Sequence, residues 1–62
     1  MKRTQFLKYL AANHCPIKRE GSDHTIVMNL ETGKKTSVPR HEEIKNSLCN
    51  EICKQLDIPK IK

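Results

Sequence analysis

Three histidines, three cysteines and one Gly-Ser corner hold the reactive chemistry of this chain. The most informative arrangement is Gly21-Ser22-Asp23-His24, which leads directly into Thr25-Ile26-Val27-Met28; further on, a second histidine closes Val38-Pro39-Arg40-His41. Histidine gives and takes protons near neutral pH, because its unperturbed pKa is about 6.5. At a backbone corner where a strand begins, its ring is held by rigid backbone yet reachable from solvent. In a basic chain this suggests proton transfer on a phosphate-bearing polymer. Ser22 can donate to a phosphate oxygen, Lys34, Lys35 and Arg40, expected near the corner because the hairpin and strand end bring them there, can hold phosphate charge, and Asp23 or His41 can help His24.

The other reactive residues read differently. Cys49 and Cys53 lie one helical turn apart, without the close pairs that zinc sites use, and are expected in the core. No metal site and no cofactor are expected. His14 follows a helical pattern and is expected near the terminal carbonyls of that helix. For His41 a structural or partner-contacting role competes with catalysis. The pairs Lys18-Arg19 and Lys34-Lys35 are candidates for polyanion contact.

These residues need a scaffold, and 62 residues provide one domain, 1–62, with a single small core. Twelve Lys and Arg against seven Asp and Glu leave a net charge of +5, which favours a polyanionic partner. With one Phe, one Tyr and no Trp, aliphatic side chains must build the core. Lys8 interrupts Phe6, Leu7, Tyr9 and Leu10, so no signal-peptide h-region forms, and no stretch approaches the roughly 20 apolar residues of a membrane span. A cytoplasmic location is expected, with no membrane partner.

Thr4 as N-cap and Phe6, Leu7, Leu10 and Ala11 at helical spacing predict a first helix from Thr4 to Asn13, stopped by Pro16. Strands are expected over Cys15 to Glu20, His24 to Asn29 and Lys35 to Pro39, with Gly33 supplying a positive φ in the turn Glu31-Thr32-Gly33-Lys34. Ile44, Leu48, Ile52 and Leu56, widened by Cys49 and Cys53, predict a second helix capped by Asn46 or Ser47 and stopped before Pro59. Pro59 to Lys62 reads as a short tail. The expected fold is α+β in the order α-β-β-β-α: a three-stranded antiparallel sheet with two helices on one face and the other face open. His24 shares strand parity with Ile26 and Met28, so if those residues face the core, His24 must sit at the rim.

In this order and spacing, the Lys-rich helix, Gly-Ser-x-His, the hairpin, Val-Pro-Arg-His and the helix ending near Lys54-Gln55-Leu56 resemble the HicA toxins. The resemblance covers nearly the whole chain. It implies a double-stranded-RNA-binding-domain-like fold and the toxin role in a type II toxin–antitoxin system. The activity it implies is endoribonuclease cleavage of mRNA without a cofactor, restrained by a HicB-type antitoxin. The family's catalytic histidine falls on His24. The chain departs from the pattern at Asp23, where many members carry a second histidine, and at Asp57, where glycine commonly follows Lys-Gln-Leu. The alternative is a module of the same fold that holds RNA without cutting it; a protein-interaction domain would show no salt-sensitive RNA binding.

Overall fold

A computed structural model of the chain describes residues 1–61; Lys62, the end of the expected tail, lies outside them. Helix α1 (Arg3–Ala12) is followed by strands β1 (Ile17–Glu20), β2 (His24–Met28) and β3 (Lys35–Pro39) and by helix α2 (Asn46–Gln55). The expected element order is therefore observed. The strands form one antiparallel sheet in the order β1-β2-β3.

Helix α1 starts before Thr4. Lys2 is its N-cap and supplies no side-chain cap bond. Tertiary pairing sets this start instead: Lys2 bridges Glu43, the Arg3 amide donates to the Glu42 carbonyl at 2.9 Å, and the Ile44 amide donates to the Met1 carbonyl at 2.8 Å. Helix α2 likewise begins after Lys45 without a side-chain cap, so neither Asn46 nor Ser47 caps it.

Both helices end in the same way. After α1, the His14 amide donates to the Ala11 carbonyl (3.1 Å) and the Cys15 amide to the Leu10 carbonyl (2.8 Å). After α2, the Asp57 amide donates to Lys54 (3.1 Å) and the Ile58 amide to Cys53 (3.0 Å). These are Schellman closures, in which a left-handed residue lets two amides satisfy the last free carbonyls. His14 (φ 66°) and Asp57 (φ 61°) hold the position that usually belongs to glycine. His14 thus meets the terminal carbonyls through its backbone, while its ring lies 3.7 Å from the Glu31 carboxylate. Because Cys15 closes the helix, β1 starts at Ile17 rather than at Cys15.

The core lies between the helices and one face of the sheet. Phe6 and Leu10 of α1 and Cys49, Ile52, Cys53 and Leu56 of the α2 region meet Val27, Val38, Cys15 and Ile44. Fully burying an aliphatic or aromatic side chain of this size contributes about 1.5–3 kcal/mol. Cys49 and Cys53 are core residues as expected, and Cys15 joins them. Leu48 is not: it is 42% exposed, because the buried stripe turns through Cys49, Ile52, Cys53 and Leu56 and leaves Leu48 at its border. The tail packs back: the Tyr9 hydroxyl donates to the Pro59 carbonyl at 2.6 Å, and Ile58 and Ile61 lie against the core.

Strand β2 ends one residue earlier than expected because Asn29 is taken up by the turn. Its side-chain Oδ1 accepts from the Glu31 amide (2.8 Å), and its Nδ2 donates to the Leu56 carbonyl (2.8 Å). Gly33, at φ 81°, donates to the Asn29 carbonyl (2.7 Å) and supplies the expected positive φ.

Candidate functional site

The β1–β2 hairpin places His24. Ser22 and Asp23 form its two-residue tip, and the Gly21 amide donates to the His24 carbonyl at 2.8 Å. A Cβ on residue 21 would lie 2.9 Å from that carbonyl oxygen, closer than real Cβ atoms approach backbone. Glycine is required here for close approach rather than for an unusual φ. The result is a tight corner, with His24 as the first residue beyond it.

Parity decides which way the ring points. Thr25 and Val27 are buried against the helices, whereas His24 is exposed and Ile26 and Met28 are only partly covered. Successive strand residues face opposite sides, so His24, Ile26 and Met28 line the open face. His24 therefore stands on a solvent-facing surface and is not confined to a rim. Among the described residues its ring has no hydrogen-bonding partner and Asp23 no ion pair, so both stand free for a ligand.

Beneath the corner, on the helix side, a chain of polar contacts braces the hairpin. Arg40 Nη2 donates to Glu20 Oε1 and to the Gly21 carbonyl, both at 2.7 Å. The Thr25 hydroxyl donates to the same Glu20 oxygen at 2.7 Å and accepts from Arg3 Nη2, while Arg3 Nε donates to the Pro39 carbonyl at 3.2 Å. The Arg40–Glu20 pair is about half exposed, so its Coulomb energy is modest, roughly 0.2–1 kcal/mol. The geometry matters more: one guanidinium ties the end of β3 to the backbone of the His24 corner. No sequence pattern signalled Glu20 or Arg3, because Glu20 depends on cross-strand register and Arg3 on how the start of α1 lies against β2 and β3.

The remaining expected residues do not all converge on His24. Pro39 pairs with His24 across the sheet, and Arg40 and His41 follow it. Lys35 pairs with Met28, four residues along β2, which at about 3.3 Å per residue is roughly 13 Å from His24. Lys34 precedes it in the far turn. The expectation that the hairpin brings both lysines beside the corner is therefore incorrect; β2 and β3 pair along their full length and carry them to the opposite end. His41 lines a shallow groove of about 290 Å³ with Pro39, Glu43, Ile44, Lys45 and Leu48.

The thiols of Cys15, Cys49 and Cys53 are pushed above the ordinary thiol range, first by burial, so they remain protonated at neutral pH and are poor nucleophiles. Among the described residues no group of three His, Cys, Asp or Glu side chains is arranged to hold a metal ion, and no helix is long and apolar enough to cross a membrane. The site thus offers an exposed imidazole on a braced corner, a hydroxyl and a carboxylate at the tip, and cations along the sheet.

A family model described as the HicA toxin of bacterial toxin–antitoxin systems matches residues 3–58, a span that includes both helices and the whole sheet. No curated protein and no solved structure matches the chain.

Proposed function

The chain belongs to the HicA toxin family, and from that premise we propose that it is an endoribonuclease acting on mRNA in the cytoplasm, with His24 as its proton-transfer group and a HicB-type antitoxin as its restraint. The observation that carries this reading is the exposure of an otherwise unpartnered imidazole on a corner fixed by Gly21 and Arg40.

His24 takes the proton from a ribose 2′-hydroxyl. The 2′-oxygen then bonds to phosphorus while the bond from phosphorus to the 5′-oxygen breaks, leaving a 2′,3′-cyclic phosphate. The departing 5′-oxygen takes its proton from water. General-base help of this kind is worth about 10²–10⁴ in rate. With one proton-transfer ring the turnover is slow, which suits a protein that need only cut messages faster than they are replaced.

Ser22 donates to a non-bridging oxygen, and Asp23 steadies the imidazolium that forms. Arg40 supports the corner through Glu20 and Gly21 and keeps further N–H donors for phosphate, since a guanidinium carries five. Lys34 and Lys35 act at a distance, on neighbouring nucleotides. His41, in the groove beside Pro39, serves the antitoxin contact or assists His24.

Induced expression tests the reading in cells. The wild type should arrest protein synthesis and shorten bulk mRNA, and His24→Ala at equal abundance should do neither. Arrest by both proteins with mRNA intact would instead favour a module that holds RNA without cutting it.

A further inference from the structure

The open face of the sheet has a composition of its own. Register assigns to it Arg19, opposite Ile26, together with His24, Met28, Ser37 opposite Ile26, and Lys35 opposite Met28. Arg19 reaches this face because the ladder slips between Ile17 and Arg19: a bulge at Lys18 separates the two members of the basic pair. The only carboxylate in the three strands, Glu20, pairs with Thr25 and lies on the helix side. Every charged strand residue on the open face is therefore cationic, and its centre is the partly covered apolar pair Ile26 and Met28.

We propose that this face is a track for single-stranded RNA, with Arg19 and Lys35 holding backbone phosphates, Ile26 and Met28 forming an apolar ledge beneath the bases, and His24 cutting at one end. The proposal rests on the ribonuclease reading for the role of His24, but the binding track stands on register and charge alone. From His24, the Arg19 row lies roughly 7 Å along β2 and the Lys35 row roughly 13 Å. That spacing matches the repeat of phosphates along an extended nucleotide chain. Three strands about 4.8 Å apart make a surface roughly 10 Å wide, enough for one strand but narrow for a duplex, which modules of double-stranded recognition follow over about 16 base pairs. Arg40 does not belong to the track, because it shares the parity of buried Val38 and is tied to Glu20.

The test uses the full chain carrying His24→Ala, so that RNA stays intact, and a labelled unstructured RNA oligonucleotide titrated over a range of salt. For single strands each lost phosphate contact reduces the slope of log K against log salt by about 0.7. Arg19→Gln and Lys35→Gln should each produce that reduction, and the double variant should produce about twice as much. Lys8→Gln, an exposed change on α1, should leave the slope unchanged. Ser37→Glu, which adds a carboxylate to the track at an exposed position, should weaken binding without a change in melting temperature. Slopes unmoved by Arg19→Gln and Lys35→Gln would overturn the track, as would tighter binding of an RNA duplex of equal length. If the wild type cleaves RNA while these slopes stay unmoved, the track fails and the nuclease reading stands. If the slopes fall but the wild type does not cleave, the reverse holds.

Discussion

Replacing Gly21 by alanine tests how the His24 corner is held. The new Cβ would sit 2.9 Å from the His24 carbonyl oxygen, a backbone atom already bonded to the Gly21 amide at 2.8 Å. Unlike a flexible side chain, that carbonyl cannot swing away, so the hairpin must open by a few tenths of an ångström. Overpacking of this kind costs about 1–3 kcal/mol. In a domain of this size each kcal/mol moves the melting temperature by about 4–8 °C, so a fall of roughly 4–24 °C is expected. The same shift carries the imidazole off line; since 1 Å of misplacement can cost about 100-fold in rate, a displacement of a few tenths should cost about tenfold. Thermal melting followed by circular dichroism reads the first effect, and single-turnover RNA cleavage at a temperature where both proteins are folded reads the second. Gly33→Ala provides the contrast. Its Cβ meets nothing within 4 Å but is forced to a φ of 81°, so it should lower the melting temperature while leaving the cleavage rate of the folded protein intact. A Gly21→Ala protein that melts and cleaves like the wild type would refute the tight-corner argument.

Three further changes test the rest of the framework. Asn29→Ala removes the side chain that joins the β2–β3 turn to the end of α2; it leaves the buried Leu56 carbonyl without its partner and should destabilise by about 1–3 kcal/mol in a denaturant titration. Asp57→Gly places the residue best suited to φ 61° at the α2 closure and should raise the melting temperature, by the equivalent of about 0.5 kcal/mol; a fall would mean that the Asp57 side chain holds contacts of its own. The buried thiols make stability fall in alkali. Their folded pKa values are raised, so the unfolded thiols ionise first, the unfolded chain binds fewer protons above roughly pH 8.5, and stability declines from there upward. Melting curves measured across that range should show the decline for the wild type and a weaker one for Cys53→Ala.

Much of this architecture was legible in the sequence because local signals and tertiary packing agree. The α-β-β-β-α order, β3 at Lys35–Pro39, the turn glycine at Gly33 and the core positions of Cys49 and Cys53 all followed from period, turn chemistry and apolar spacing. The errors share a cause. The helix starts are set by backbone pairing of residues 2 and 3 with 42 and 43, which no capping residue announces. Leu48 fits the four-residue spacing, yet 3.6 residues per turn carries it to the edge of the buried stripe. His14 and Asp57 take left-handed positions because their neighbours' amides need the carbonyls behind them. In the site, the corner and its histidine were visible as a motif. The separation of Lys34 and Lys35 from His24, the bracing by Glu20 and the turning of Arg19 onto the open face depend on register and a bulge, which one strand's sequence does not specify.

The central claim is that the exposed imidazole of His24 drives RNA cleavage without a metal ion. The most direct measurement is cleavage of a long messenger RNA by purified wild type and His24→Ala, side by side in excess EDTA, with the product ends identified. Only the wild type should cut, and its products should carry 2′,3′-cyclic phosphates. Equal cutting by both proteins, or no cutting by either while both bind the RNA equally, would contradict the claim.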